Sequence, residues 1–218
     1  FFHADAGIRD AQESRGLGDV YKRQMGRWAA VCLQVFLQTK IIVTGKENII
    51  KNEKFFIACS HQSMFETFYL QTIFNSPIFI LKYELIKMPI FGWYLKKIGS
   101  ISINRNKISK DNLGLIDKIR NTIRNSERPL IIFPQGTRVL PNEIIPFKKG
   151  VGRIYDELKI NCQPVAINSG NVWPKDGKLS SKKTITISIL PAVKPGMESA
   201  DFTSYIEDKI YTELKLMN

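Results

Sequence analysis

The sequence predicts a single α/β domain with a mostly buried central sheet flanked by helices. Three observations predict it. Short runs rich in Ile, Val and Phe recur along the chain, bounded by polar or turn-forming residues. Between several of them, apolar residues return every three or four positions, the helical period. The chain has 218 residues, of which 44% are hydrophobic and 24% charged, enough for one sizeable core with an ordinary globular balance.

Taken in order, residues 1–24 read differently from the rest. Their four basic and four acidic residues cancel, they carry no sustained periodicity, and GLGDVYKRQ resembles translated sequencing-adapter sequence. They are set aside as a non-native or disordered segment, with a native flexible tail as the alternative. The domain is expected over residues 25–218. Trp28 to Leu37 (WAAVCLQVFL) is too short to span a bilayer and is interrupted by Gln34. It is read as an interfacial helix or as the stump of a longer anchor. β-rich runs follow at Lys40–Thr44, Phe55–Cys59, Ile78–Leu81, Ser100–Asn104, Leu130–Phe133, Pro164–Ile167 and Thr184–Leu190. Leu115, Ile116, Ile119 and Ile123 fall on one helical face, as do Phe202, Ile206, Ile210 and Leu214. Pro174 to Ser181 and Pro191 to Ala200 read as polar loops. Strands alternating with helices indicate an α/β domain.

Lys and Arg number 32 against 20 Asp and Glu, a net charge of +12. Such an excess favours anionic partners: nucleic acid, an anionic lipid surface or a phosphorylated substrate. The basic residues are dispersed and no recognised nucleic-acid module appears, which argues against nucleic acid. Cys32, Cys59 and Cys162 are widely spaced with no CxxC pair. That argues against a disulfide framework and a cysteine-rich zinc site, and for a reducing, cytosolic setting. With residues 1–24 set aside, His61 is the remaining histidine and offers no cluster of metal ligands.

Three stretches carry candidate chemistry. In FFIACSHQSMFET (residues 55–67) an apolar run ends at Cys59, so His61 lies just past a strand's C-terminal end, where ligands bind in open α/β sheets. On one regular helix His61 and Glu66 would be about 140° apart. They meet if His61 lies in the turn and Glu66 in the first helical turn. The carboxylate would then fix the imidazole tautomer and leave the other nitrogen as a base. A structural histidine is the bland alternative. In PLIIFPQGTRVLP (residues 129–141) a buried strand runs into Gly136, which permits close backbone approach, Thr137, and Arg138, whose planar fork matches phosphate. A strand-to-loop turn with a surface arginine is the alternative. In residues 82–105, Lys82 and Arg105 each close a short β-run and are placed on the same sheet edge as His61. Between them Trp93, Tyr94, Lys96 and Lys97 suit a membrane interface or, for the apolar part, an amphipathic core helix.

In this order the three stretches resemble the lysophosphatidic acid acyltransferase family. SHQSMFE (60–66) matches its His-x4-acid block, Lys82 to Arg105 its second block, and FPQGTR (133–138) its FPEGTR block. FKKG (147–150) and QPVA (163–166) resemble the stretches that follow, so the likeness covers roughly residues 40–170. Two departures stand out: Glu66 replaces the commoner Asp, and Gln135 replaces the glutamate of FPEGTR.

The resemblance implies transfer of an acyl group from acyl-CoA or acyl carrier protein to the free hydroxyl of 1-acylglycerol-3-phosphate (lysophosphatidic acid), giving phosphatidic acid in phospholipid biosynthesis. No cofactor or metal is implied. His61 and Glu66 would be catalytic, as base and orienting acid. Lys82, Arg105 and Arg138 would hold the glycerol phosphate in a pocket shaped by Gly136 and Thr137. A bacterial enzyme on the cytoplasmic face of the cell membrane is expected, peripheral or with an incomplete N-terminal anchor. Three alternatives stand beside this: a covalent route through Cys59, a non-catalytic protein that binds anionic lipid, and an acyltransferase acting on another lysolipid such as lyso-ornithine lipid.

Overall fold

The computed structural model describes residues 23–89, 91–103 and 111–217. Residues 1–22, most of the segment set aside above, lie outside the described residues. Seven strands form one sheet: β1 (Lys40–Thr44), β2 (Phe55–Cys59), β3 (Ile78–Lys82), β4 (Ile101–Ile103), β5 (Leu130–Ile132), β6 (Asn161–Ile167) and β7 (Thr184–Ile189). Their order is β1-β7-β6-β2-β5-β3-β4. Neighbours run parallel except β6 and β7, which are antiparallel. The C-terminal ends of β2, β5, β3 and β4 therefore open on one edge of the sheet.

Successive residues of a strand point to opposite faces, and both faces are covered. On one, Phe56 and Ala58 of β2, Ile78 of β3 and Leu130 and Ile132 of β5 pack against α5 (Asp111–Arg124), α6 (Gly150–Leu158) and α7 (Ser199–Met217). There α7 buries Phe202, Ile206, Ile210 and Leu214, the helical face expected from the sequence. On the other, Ile57 and Cys59 of β2, Phe79 of β3 and Ile131 of β5 pack against α2 (Phe65–Ile73), α4 (Phe91–Lys97) and a helix over residues 23–37, here α1. Burial on both faces explains why these strands read as unbroken apolar runs. The short helix α3 (Tyr83–Ile86) follows β3 directly.

Gly26 sets the approach of α1 to α2: a Cβ there would collide with the Phe68 carbonyl and the Thr72 methyl. Ala30 and Leu33 continue that buried face. The opposite face carries Trp28, Val31, Val35 and Phe36, with Trp28 67% and Phe36 79% exposed. Among the described residues no helix is long and apolar enough to cross a membrane.

Candidate active site

The chain leaves β2 through Ser60, whose hydroxyl accepts from the Ile167 N–H (2.8 Å) and donates to the Ile167 carbonyl (3.2 Å). This clamps the end of β2 to the end of β6. His61 follows in the turn, and Glu66 is the second residue of α2. Ser63 and Glu66 stand three apart at the start of α2. The Ser63 N–H donates to Glu66 Oε1 at 2.9 Å, and the Ser63 hydroxyl accepts from the Phe65 N–H at 3.1 Å. Together these bonds turn the glutamate back towards the turn.

That turn brings Glu66 Oε2 to 3.0 Å from His61 Nδ1. The Glu66 side chain is fully buried, while that of His61 is 18% exposed. Oε1 also accepts from the Gln62 N–H at 3.1 Å and from the Ser169 hydroxyl. With its donors in place the carboxylate stays put, and the Nδ1 proton of His61 has a partner to point at. Nε2 is then the ring nitrogen free to take a proton. Phe133 stacks on the imidazole, centroids 4.0 Å apart and planes within 17°. Backbone bonds tie the next loop to this centre: the Val139 N–H donates to the His61 carbonyl (2.9 Å), and the Gly136 N–H to that of Phe133 (2.9 Å). Gly136 has φ 72°, a backbone conformation other residues adopt at a cost.

His61, Lys82, Gly136, Thr137 and Arg138 line one cavity of about 660 Å³. Its walls are apolar, including Phe79, Ile80, Leu115, Ile116, Val151 and Ile154. Glu66 sits behind His61, off the cavity wall, as does Gln135, which is fully buried. The position where the resemblance places a glutamate thus faces the interior, not the cavity. Arg105 lies outside the described residues.

Cys59 is fully buried, and its thiol donates to the Ser60 carbonyl at 3.2 Å. Burial, and then the charge of Glu66, push its thiol pKa well up. A thiolate nucleophile is disfavoured there.

Residues with a place at the site that sequence reasoning missed are Ser169, Phe133 as the imidazole's stacking partner, and the cavity cations Lys148, Arg153 and Lys175. Ser169 reaches Glu66 from 103 positions away, and no local pattern announces that. Lys148 had one signal, its place in FKKG.

An oriented imidazole at a strand end, over a cavity with apolar walls and cations, defines an α/β scaffold suited to moving a group onto an amphiphile. The chain belongs to the acyltransferase family: the family model described as Acyltransferase matches residues 40–168, from β1 to just past β6. It is similar to 1-acyl-sn-glycerol-3-phosphate acyltransferases of Pseudomonas aeruginosa, 32% identical over 167 residues, and Saccharomyces cerevisiae, 26% over 207. Those alignments cover 77% and 89% of this chain but 64% and 68% of the relatives. The crystal structure of the 1-acyl-sn-glycerophosphate (LPA) acyltransferase PlsC from Thermotoga maritima superposes with a TM-score of 0.79 at 21% identity, covering 96% of this chain and 84% of that one. That likeness is one of fold.

Proposed function

We propose that the chain transfers a fatty acyl group from an acyl thioester, acyl-CoA or acyl carrier protein, to the free hydroxyl of 1-acylglycerol-3-phosphate, giving phosphatidic acid. The observation that carries the proposal is the His61–Glu66 pair at 3.0 Å, set on a cavity that holds Lys82 and Arg138. The names of the curated relatives support the choice of acceptor.

In this reading His61 Nε2 takes the acceptor's hydroxyl proton as its oxygen bonds to the thioester carbonyl carbon. Glu66 offsets the imidazolium charge. The carbon–sulfur bond then breaks and the thiol leaves as thiolate, which recovers the proton from His61. Thiols are far more acidic than alcohols, so one base serves both directions. Arg138 and Lys82 hold the phosphate. The apolar walls suit an acyl chain.

The acceptor is an amphiphile, so the site must work at a bilayer surface, for which we propose the cytoplasmic, anionic one. The outward face of α1 and the α4 surface support this: Trp93 is 58% exposed with Lys97 Nζ 4.6 Å from its ring centre. Tyr94 and Leu95 of the same helix are buried. Aromatic rings beside lysines match the headgroup region.

The test is incubation with a labelled acyl-CoA and lysophosphatidate, with product identification by mass. Labelled phosphatidic acid is expected, and His61→Ala should lower its rate by about 10² or more with the fold intact. Stoichiometric lipid binding without turnover would select a non-catalytic lipid-binding protein. Turnover confined to a different lysolipid would reassign the acceptor.

A further inference from the structure

The cavity carries more positive charge than its acceptor needs. Lys82, Arg138, Lys148, Arg153 and Lys175 all line it, and among the described residues no Asp or Glu does. None of the five side chains makes a hydrogen bond or ion pair with a described residue. A phosphate monoester carries at most two negative charges near neutral pH, and Lys82 with Arg138 match it. Three unpaired cations remain on the same cavity.

We propose that Lys148, Arg153 and Lys175 form a second anion subsite on this cavity, which takes the phosphates of acyl-CoA. The proposal rests on the acyltransferase reading above and names its donor. The three residues lie on segments that leave the reacting centre. The Lys148 N–H donates to the Pro134 carbonyl at 2.9 Å, which straps it beside the turn that carries Phe133. Arg153 lies further along, in the first turns of α6, where Val151 and Ile154 turn into the cavity and Arg153 stays exposed. Lys175 follows the short helical turn Ser169–Asn171, whose first residue bonds Glu66. A long ligand with its thioester at His61 would carry its phosphates outward past these side chains. Coenzyme A presents a diphosphate and a ribose phosphate, whereas the prosthetic arm of a carrier protein presents one phosphodiester. Three cations match the former.

Lipid headgroups offer phosphate too, so the experiment separates the two sources. Binding to the full chain would be measured in detergent for coenzyme A and for pantetheine, which lacks phosphate, and without detergent for phosphatidylglycerol vesicles. The wild type is compared with the triple variant Lys148→Gln, Arg153→Gln, Lys175→Gln. Coenzyme A should bind the variant about tenfold or more weakly and lose most of its salt dependence, since charged hydrogen bonds are lost. Pantetheine should bind both proteins alike, and vesicle binding should weaken far less than coenzyme A binding. In turnover, KM for acyl-CoA should rise while KM for lysophosphatidate holds. Unchanged coenzyme A affinity would overturn the proposal. So would a loss confined to vesicles, or an equal rise in the lysophosphatidate KM. Should the triple variant fail to fold, the single changes Lys148→Gln and Arg153→Gln must each weaken coenzyme A several-fold, or the subsite is rejected. Coenzyme A binding that depends on these cations, in a protein that does not acylate lysophosphatidate, would keep the subsite and discard the acceptor.

Discussion

Glu66 receives more hydrogen bonds than a mere partner for His61 would need. Two backbone N–H groups and the Ser169 hydroxyl converge on it from three directions. Glu66→Gln would turn an amide NH2 towards donors, so it should cost more than the loss of a charge alone. Ser169 is a positioning residue. Ser169→Ala should lower kcat several-fold with KM for the acceptor unchanged, and Ser169→Thr, which keeps the hydroxyl, should restore most of it. A fall in stability with unaltered kcat would make Ser169 purely structural. Arg138 is half-buried beside the site, on the loop that the Val139 N–H fixes to His61. Arg138→Ala should weaken lysophosphatidate use about 10–150-fold, from roughly 1.5–3 kcal/mol for a hydrogen bond to a charged group. Arg138→Lys should rescue it in part, because a point charge lacks the fork. An acceptor without phosphate should be indifferent to both; equal losses on the two acceptors would remove the phosphate role.

The elements show what a reader of the sequence could and could not see. All seven β-runs are strands, because short apolar runs between polar turns are what a sheet buried on both faces demands. Boundaries slipped where chemistry misled. Proline cannot donate to a ladder, so Pro164 reads as a strand's first residue. Yet β6 begins at Asn161, and Cys162 and Gln163 pair with Phe56 and Ile57 ahead of it. Phe133 reads as strand and instead turns out to stack on His61. The His61–Glu66 contact was legible because His61 lies in the turn after β2 and Glu66 in the first turn of the helix that follows. Strand order was not, since nothing local says that β7 returns antiparallel to β6.

The hold of α7 on the cavity loop was equally invisible. The Tyr211 hydroxyl donates to the Ile145 carbonyl (2.7 Å) and accepts from the Ile145 N–H (3.2 Å), and Glu207 Oε2 accepts from the Phe147 N–H (2.7 Å). Tyr211→Phe should destabilise the fold by about 1–2 kcal/mol, seen as a lower urea midpoint at unchanged slope. Burial, chiefly, pushes the Tyr211 hydroxyl above its ordinary value. The folded state therefore favours the neutral phenol. Its contribution is full below the ordinary tyrosine pKa near 10 and is lost as pH climbs through the raised folded value. An alkaline stability scan should show that decline in the wild type and less of it in Tyr211→Phe.

The whole molecule carries a net charge of +12, and its described residues expose apolar side chains on the outward face of α1 and at the Trp93 corner. It should bind anionic vesicles peripherally and more weakly as salt rises, because exposed charges are screened over about 8–10 Å near physiological ionic strength. Trp93→Ala with Lys96→Glu and Lys97→Glu should reduce co-sedimentation and spare activity on detergent-dispersed substrate. Binding that ignores salt and these changes would place the contact on α1. Trp28→Ala with Phe36→Ala should then abolish it.

β1 sits at the edge of the sheet and pairs in parallel with β7, Lys40 opposite Thr184. On the ribosome, β1 must wait for a partner made about 140 residues later. At roughly 5–20 residues per second, that is a delay of many seconds. During it, the Lys40–Thr44 segment has no ladder to join, while β2, β3, β4 and β5 can already pair among themselves. Until β7 is made, the backbone N–H and C=O groups of that segment stand open to any other strand that can pair with them.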